Sequence, residues 1–143
     1  MKRRAPRPAE ATSNAAGLVL DAGALLALER RNIRLLADLK RADELGLPIR
    51  VPAGSLAQAW RGGPRSASIA RLLQYASTVR VDEGSAKEIG VFLAHLRFPE
   101  SEKPDVVDAH VALVTRATQS LVWTSDPSDM VRYGVETKLV RKL

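Results

Sequence analysis

Cysteine is absent from this chain, and histidine occurs only twice, as His95 and His110. The first absence excludes disulfides and thiolate metal ligands and suits a reducing compartment. The second leaves too few imidazoles to assemble a histidine-based zinc site or a Ser-His-Asp triad with ease. Long apolar runs are missing too. None approaches the roughly 20 residues of a membrane span, and the run after the N-terminal basic stretch is too short for the core of a signal peptide. The sequence therefore predicts a cytoplasmic protein with no membrane association.

What is present fits one soluble domain. The chain has 143 residues, 45% of them hydrophobic and 27% charged, enough to close a single substantial core. Its formal charge is +6 and its pI about 10.2, a balance that suits an acidic partner such as nucleic acid. Lys2, Arg3, Arg4 and Arg7 against Glu10 place half of that charge in the first sixteen residues. Pro, Ala, Ser and Asn there offer little to bury, so residues 1–16 read as a flexible basic leader, with an RNA-attracting arm as the functional alternative. Residues 17–143 read as the folded domain.

Its organising stretch is GLVLDAGALLAL, from Gly17 to Leu28. Leu18, Val19 and Leu20 form an unbroken apolar run, the mark of a strand buried on both faces of a parallel sheet. Asp21 closes it. That residue is either the N-cap of the helix that follows or a ligand at the carboxyl end of the strand, where open α/β sheets hold their sites. Beyond it, Asn32 caps a second helix that stops near Gly46, and PIRVP, 48–52, is the next strand. A short helix covers 53–60, Gly62, Gly63 and Pro64 make a turn, and another helix starts at Ser66 or Ser68. TVRVD, 78–82, is a third strand, 85–96 an amphipathic helix, and 98–104 a loop. A buried helix follows over 105–118, then a strand at 121–124, a short helix at 126–133 and an edge strand at 138–140. Strands alternating with helices predict a three-layer α/β/α sandwich with a mostly parallel sheet.

Acids recur at one set of positions in this order. Asp126 follows the strand LVWTS as directly as Asp21 follows GLVL, so a parallel sheet brings both to the same edge. Asp105 and Asp108 share a face at the start of the buried helix, where the helix dipole alone explains the first better than the second. Ser125, Asp126 and Asp129 form a capping-type start to the last helix. Carboxylates gathered at one rim repel unless a cation lies among them. Hard oxygens around an open position suit Mg²⁺ or Mn²⁺, ions that hydrolyse phosphodiesters by activating water.

Four stretches, LVLDAGALLALER, VPAGSLAQAWRGG, DVVDAHVAL and VWTSDPSDM, together resemble the PIN domains, and among them the VapC-type toxins of type II toxin-antitoxin pairs. The likeness covers nearly the whole chain after the leader, and it rests on the order and spacing of the four. It implies a PIN-like fold and a divalent-metal-dependent endoribonuclease that cuts RNA, is restrained by a cognate antitoxin protein and forms a homodimer. Asp21, Asp108 and Asp126 fall on the family's metal-binding catalytic acids, with Asp129 a frequent further member and Asp105 and Ser125 in support. Mg²⁺ is the implied cofactor, with Mn²⁺ as a substitute.

The departure is Gln58, where many relatives carry Glu. Gln58 offers a carbonyl oxygen but no charge. A unit charge at about 4 Å in an effective dielectric near 20 contributes roughly 4 kcal/mol before desolvation, so a weaker metal site is expected, with Asp105 or a higher metal concentration compensating. A catalytically weak PIN-fold module that binds RNA or protein is thus the second reading. A phospho-acceptor domain is a third, because Asp82 ends a strand, but no acidic pair closes the first strand. Arg30, Arg61, Arg65 and Arg71 are candidate RNA contacts. Trp60, Trp123 and His110 read as packing residues before they read as base-stacking or catalytic ones.

Overall fold

The computed structural model describes residues 16–99 and 101–143. The expected leader, apart from Ala16, lies outside them. Five strands form one sheet in the order β3-β2-β1-β4-β5: β1 (Leu18–Leu20), β2 (Ile49–Pro52), β3 (Ser77–Val79), β4 (Leu121–Thr124) and β5 (Val140–Lys142). Every pairing is parallel. The expectation of a mostly parallel sheet is met by a wholly parallel one.

Among the described residues, seven α-helices flank the sheet: α1 (Ala22–Glu29), α2 (Ile33–Glu44), α3 (Ala53–Ala59), α4 (Ala67–Leu72), α5 (Glu83–His95), α6 (Val106–Thr118) and α7 (Pro127–Arg132). The result is a three-layer α/β/α sandwich. Helix α6 packs on β1 and β2 with α5 and α7 beside it, while α1 packs on β4 with α2 and α4 beside it. Helix α3 touches both α1 and α6 and so bridges the two. None of these helices is long and apolar enough to cross a membrane.

The core follows from the apolar runs. All of β1 and all of β4 are buried, as a strand covered by helices on both faces must be. Asn32 accepts from the Leu35 N–H at 3.1 Å and starts α2, as its position implies. Trp123 is 2% exposed; its Nε1 donates to Asp38 at 3.0 Å, and the Arg34 guanidinium lies 5.5 Å from its ring centre. It is a packing residue, whereas Trp60 ends α3 half-exposed.

Two boundaries move. The third strand ends at Val79, not Asp82, because Asp82 and Ser85 close a reciprocal capping box that commits Asp82 to the start of α5. The last strand begins at Val140, because Thr137–Leu139 forms a 3₁₀ turn. Strand β5 is an edge, and Arg141 folds back along it to donate to the carbonyls of Lys138 and Val140.

Helix α3 approaches α6 through Gly54, where an added Cβ meets Val107 Cγ2 at 2.8 Å. Valine is stiff about χ1 and cannot swing aside freely. Gly54→Ala is therefore expected to cost about 1–2 kcal/mol in chemical denaturation despite its better helix propensity. Adding Val107→Ala should return part of that loss; a single variant as stable as wild type shows the approach to be looser than described.

Candidate functional site

Leu20 pairs with Trp123 across β1 and β4, so the chain leaves both strands side by side. The Asp21 N–H extends the ladder by donating to the Trp123 carbonyl at 3.3 Å. Asp21 also caps α1, its Oδ1 accepting from the Ala24 N–H at 2.9 Å. Thr124 stands next to it, 1% exposed. Its side chain hydrogen-bonds the Asp21 carboxylate and accepts from the Asp126 N–H at 3.0 Å. One hydroxyl thus ties the two strand-end acids together. Gly23 permits the close approach, since a Cβ there meets Ser125 Oγ at 2.5 Å.

Asp105 caps α6 by accepting from the N–H groups of Val107 and Asp108 at 2.7 and 3.0 Å. Its own N–H donates to the buried Tyr133 hydroxyl at 2.8 Å. Asp126 caps α7, accepting from the Asp129 N–H at 3.2 Å and from Ser128 Oγ at 2.8 Å. Asp108 and Asp129 sit in the first turns of α6 and α7.

These elements meet at a cavity of about 140 Å³ at the carboxyl edge of the sheet, lined by Asp21, Gln58, Asp108, Ser125, Asp126 and Asp129, with Ser55 and Thr124 among its other walls. An adjoining cavity of about 460 Å³ shares Asp108, Asp126 and Asp129 and adds Asp105, Lys103 and Arg132. Asp105 is thus on the outer side of the group. The largest cavity described, about 970 Å³ beside Val91, Phe92 and Leu113, includes none of these acids.

The charges are unevenly tolerated. Burial pushes the Asp108 carboxyl up to about 6, helped by the charges of Asp105, Asp129, Asp21 and Asp126. Burial also raises Asp21, against the Thr124 hydroxyl and the N–H groups of Ala24, Gly23 and Ser125, which hold its anion. Asp126 is lowered by the Ser128 hydroxyl and the Asp129 N–H, while Asp129 is raised by burial and by Asp126.

Apart from the Met130 thioether, the donors at the cavity are oxygens of the hard type that Mg²⁺ and Mn²⁺ prefer, supplied by carboxylates, hydroxyls and the Gln58 amide. One of them, Ser55 Oγ, is buried without a hydrogen-bond partner. The set fits such an ion chemically. Among the described residues, however, no group of three or more His, Asp or Glu side chains is arranged as a ready-made ligand set.

The four candidate RNA contacts lie apart from the acids. Arg61 donates to the Trp60 carbonyl at 2.8 Å, Arg71 to Ser68 at 3.1 Å, Arg65 lies in a 3₁₀ turn, and Arg30 ends α1. None of the four lines either acidic cavity. The cations that do are Lys103, from the loop before α6, and Arg132, at the end of α7 in an ion pair with Glu102. No local pattern in the sequence marks them. Ser55 was findable, since it lies three residues before Gln58 on one helix face. His110 is buried away from these cavities, its Nδ1 without a partner and its pKa lowered by burial. Asp82 is spent on its cap. Comparison with protein-family models, with curated proteins and with solved structures finds no match to this chain.

The Asp108 shift has a thermodynamic sign. Its folded-state pKa lies above the ordinary value, so stability is fully present below about pH 4 and is lost as pH rises through about 6. Asp108→Asn removes that loss. Metal-free melts at about pH 8 should show the variant a few degrees more stable than wild type, with the difference vanishing near pH 4. A gap that does not change with pH overturns this account.

Proposed function

We propose that the chain is a divalent-metal-dependent endoribonuclease of the PIN-domain type, acting in the cytoplasm on RNA. The observation that carries the reading is that Asp21, Asp108, Asp126 and Asp129 all line one small cavity at the carboxyl edge of the β1–β4 pair. In this reading Asp21, Asp108 and Asp126 hold Mg²⁺ or Mn²⁺, Asp129 and Asp105 adjust the field, and Gln58 and Ser125 contribute neutral oxygens. The ion, when bound, supplies activation of water and stabilisation of charge on the leaving phosphodiester oxygen. Thr124 holds Asp21 and the Asp126 backbone in fixed relation. Asp108 carries the least comfortable charge of the set and is the carboxylate whose ionisation is most strongly coupled to an arriving cation. Lys103 and Arg132, at the neighbouring cavity, suit phosphates flanking the cut.

The resemblance in the four sequence stretches extends the proposal to a homodimeric VapC-type toxin held inactive by a cognate antitoxin. Gln58 favours a second reading, a weakly catalytic module that holds RNA or a partner protein, because it stands exposed at the cavity without a charge.

RNA incubated with the purified chain should be cut in Mg²⁺ or Mn²⁺ and left intact in EDTA. Asp21→Asn keeps a capping side chain but removes the charge, and should lower cleavage at least about 100-fold. Cleavage that persists unchanged in Asp21→Asn sinks the nuclease assignment. Gln58→Glu separates the two readings: a gain of about tenfold or more in metal affinity and cleavage favours the weak module, and no gain favours a site already complete.

A further inference from the structure

We propose that Ser55 is a positioning residue of the acidic cavity, its buried hydroxyl holding a water of the cation's outer shell against the α3 wall. The inference rests on the metal-dependent reading above and adds a role for a residue which that reading leaves idle. Ser55 is 0% exposed, and its Oγ has no hydrogen-bond partner within the protein. A hydroxyl buried in that way costs about 1–3 kcal/mol, and such groups in native proteins call for a reason.

The usual escape for a helical hydroxyl is the carbonyl four residues back. Thr115 takes it, donating to the Val111 carbonyl at 2.8 Å, and Thr118 donates to Val114 at 2.7 Å. Ser55 does not. Instead it lines the same cavity as Asp21 and Asp108, one turn deeper along α3 than the exposed Gln58. The neighbouring carboxylates only accept hydrogen bonds when ionised, and the other buried hydroxyl of the cavity, Thr124, is already engaged with Asp21 and Asp126. Ser55 is therefore the uncommitted buried donor on that wall.

A cavity of about 140 Å³ has room for a cation and a few waters at about 30 Å³ each. Mg²⁺ gives up its hydration reluctantly and keeps several waters in protein sites. A hydroxyl fixed in the wall, donating to a water just outside that shell, orders the hydration without adding charge. Outer-shell partners of this kind commonly change metal affinity by 10- to 100-fold when removed. With Gln58 supplying no charge on the same helix face, such an anchor has more influence here than beside a full set of acids.

The test is Mn²⁺ binding to the whole chain by calorimetry, paired with metal-free thermal melts, for wild type, Ser55→Ala and Ser55→Thr. Ser55→Ala should melt at or above the wild-type temperature without metal, since it deletes an unpaired buried group, while binding Mn²⁺ about tenfold more weakly. Ser55→Thr retains the hydroxyl and should keep most of the affinity. Wild-type Mn²⁺ affinity in Ser55→Ala overturns the inference and leaves the nuclease reading standing. A weakened affinity accompanied by a lower metal-free melting temperature also overturns it, as the mark of a merely structural serine. Wild type that binds no Mn²⁺ overturns the metal-dependent reading itself, and this inference with it.

Discussion

The site depends on one pairing, the parallel register of β1 against β4. Leu20 opposite Trp123 is what sets Asp21 beside Thr124 and Asp126. A slip of one residue would turn every side chain of a strand to the opposite face. Both strands are wholly buried, so the packing of Leu18, Val19, Leu20 and Trp123 fixes that register, and the polar edge inherits its geometry from the apolar core. The sheet order reverses direction at this same pair, with β2 and β3 to one side of β1 and β4 and β5 to the other. Open α/β sheets bind ligands at such a switch point, outside the carboxyl ends of their strands.

Capping and the collection of charge are a single arrangement here. Asp21, Asp105 and Asp126 each cap a helix, and each belongs to the acidic group. Three helix N-termini therefore turn toward one edge, and their partial positive charges and free N–H groups offset some of the repulsion among the carboxylates. Asp108 caps nothing. It is also the acid pushed furthest from its ordinary pKa, first by burial and then by the repulsion of the neighbouring carboxylates.

Much of this was legible in the chain because the signals are local. An apolar run ending in Asp, an Asn before a periodic segment and a second strand ending near Asp each declare themselves within a few residues. Asp82 misled for a local reason as well: the alternation TVRVD suggested a strand, and the D-x-x-S capping box overrode its last residues. The cations that border the acidic cavity were illegible for the opposite reason. Lys103 and Arg132 lie on a loop and a helix end that meet only in the folded chain, while Arg30, Arg61, Arg65 and Arg71, more conspicuous in sequence, lie apart from the acids. Thr124 and Ser55 are buried polar residues, and what sets them apart is a hydrogen bond made or left open, which composition and periodicity do not report.

Strand β5 has a bearing on how copies of this chain can meet. A parallel sheet with exposed rims invites a neighbour to add its own strand, a route to uncontrolled stacking. Here one rim, β3, is only three residues long. The other carries Arg141 folded onto the carbonyls of Lys138 and Val140, with Lys142 beside it. Lengthening the sheet would require stripping a guanidinium from its own backbone and bringing charges together. Both rims therefore discourage continuation, and the surfaces left for orderly self-association are those of the helical layers.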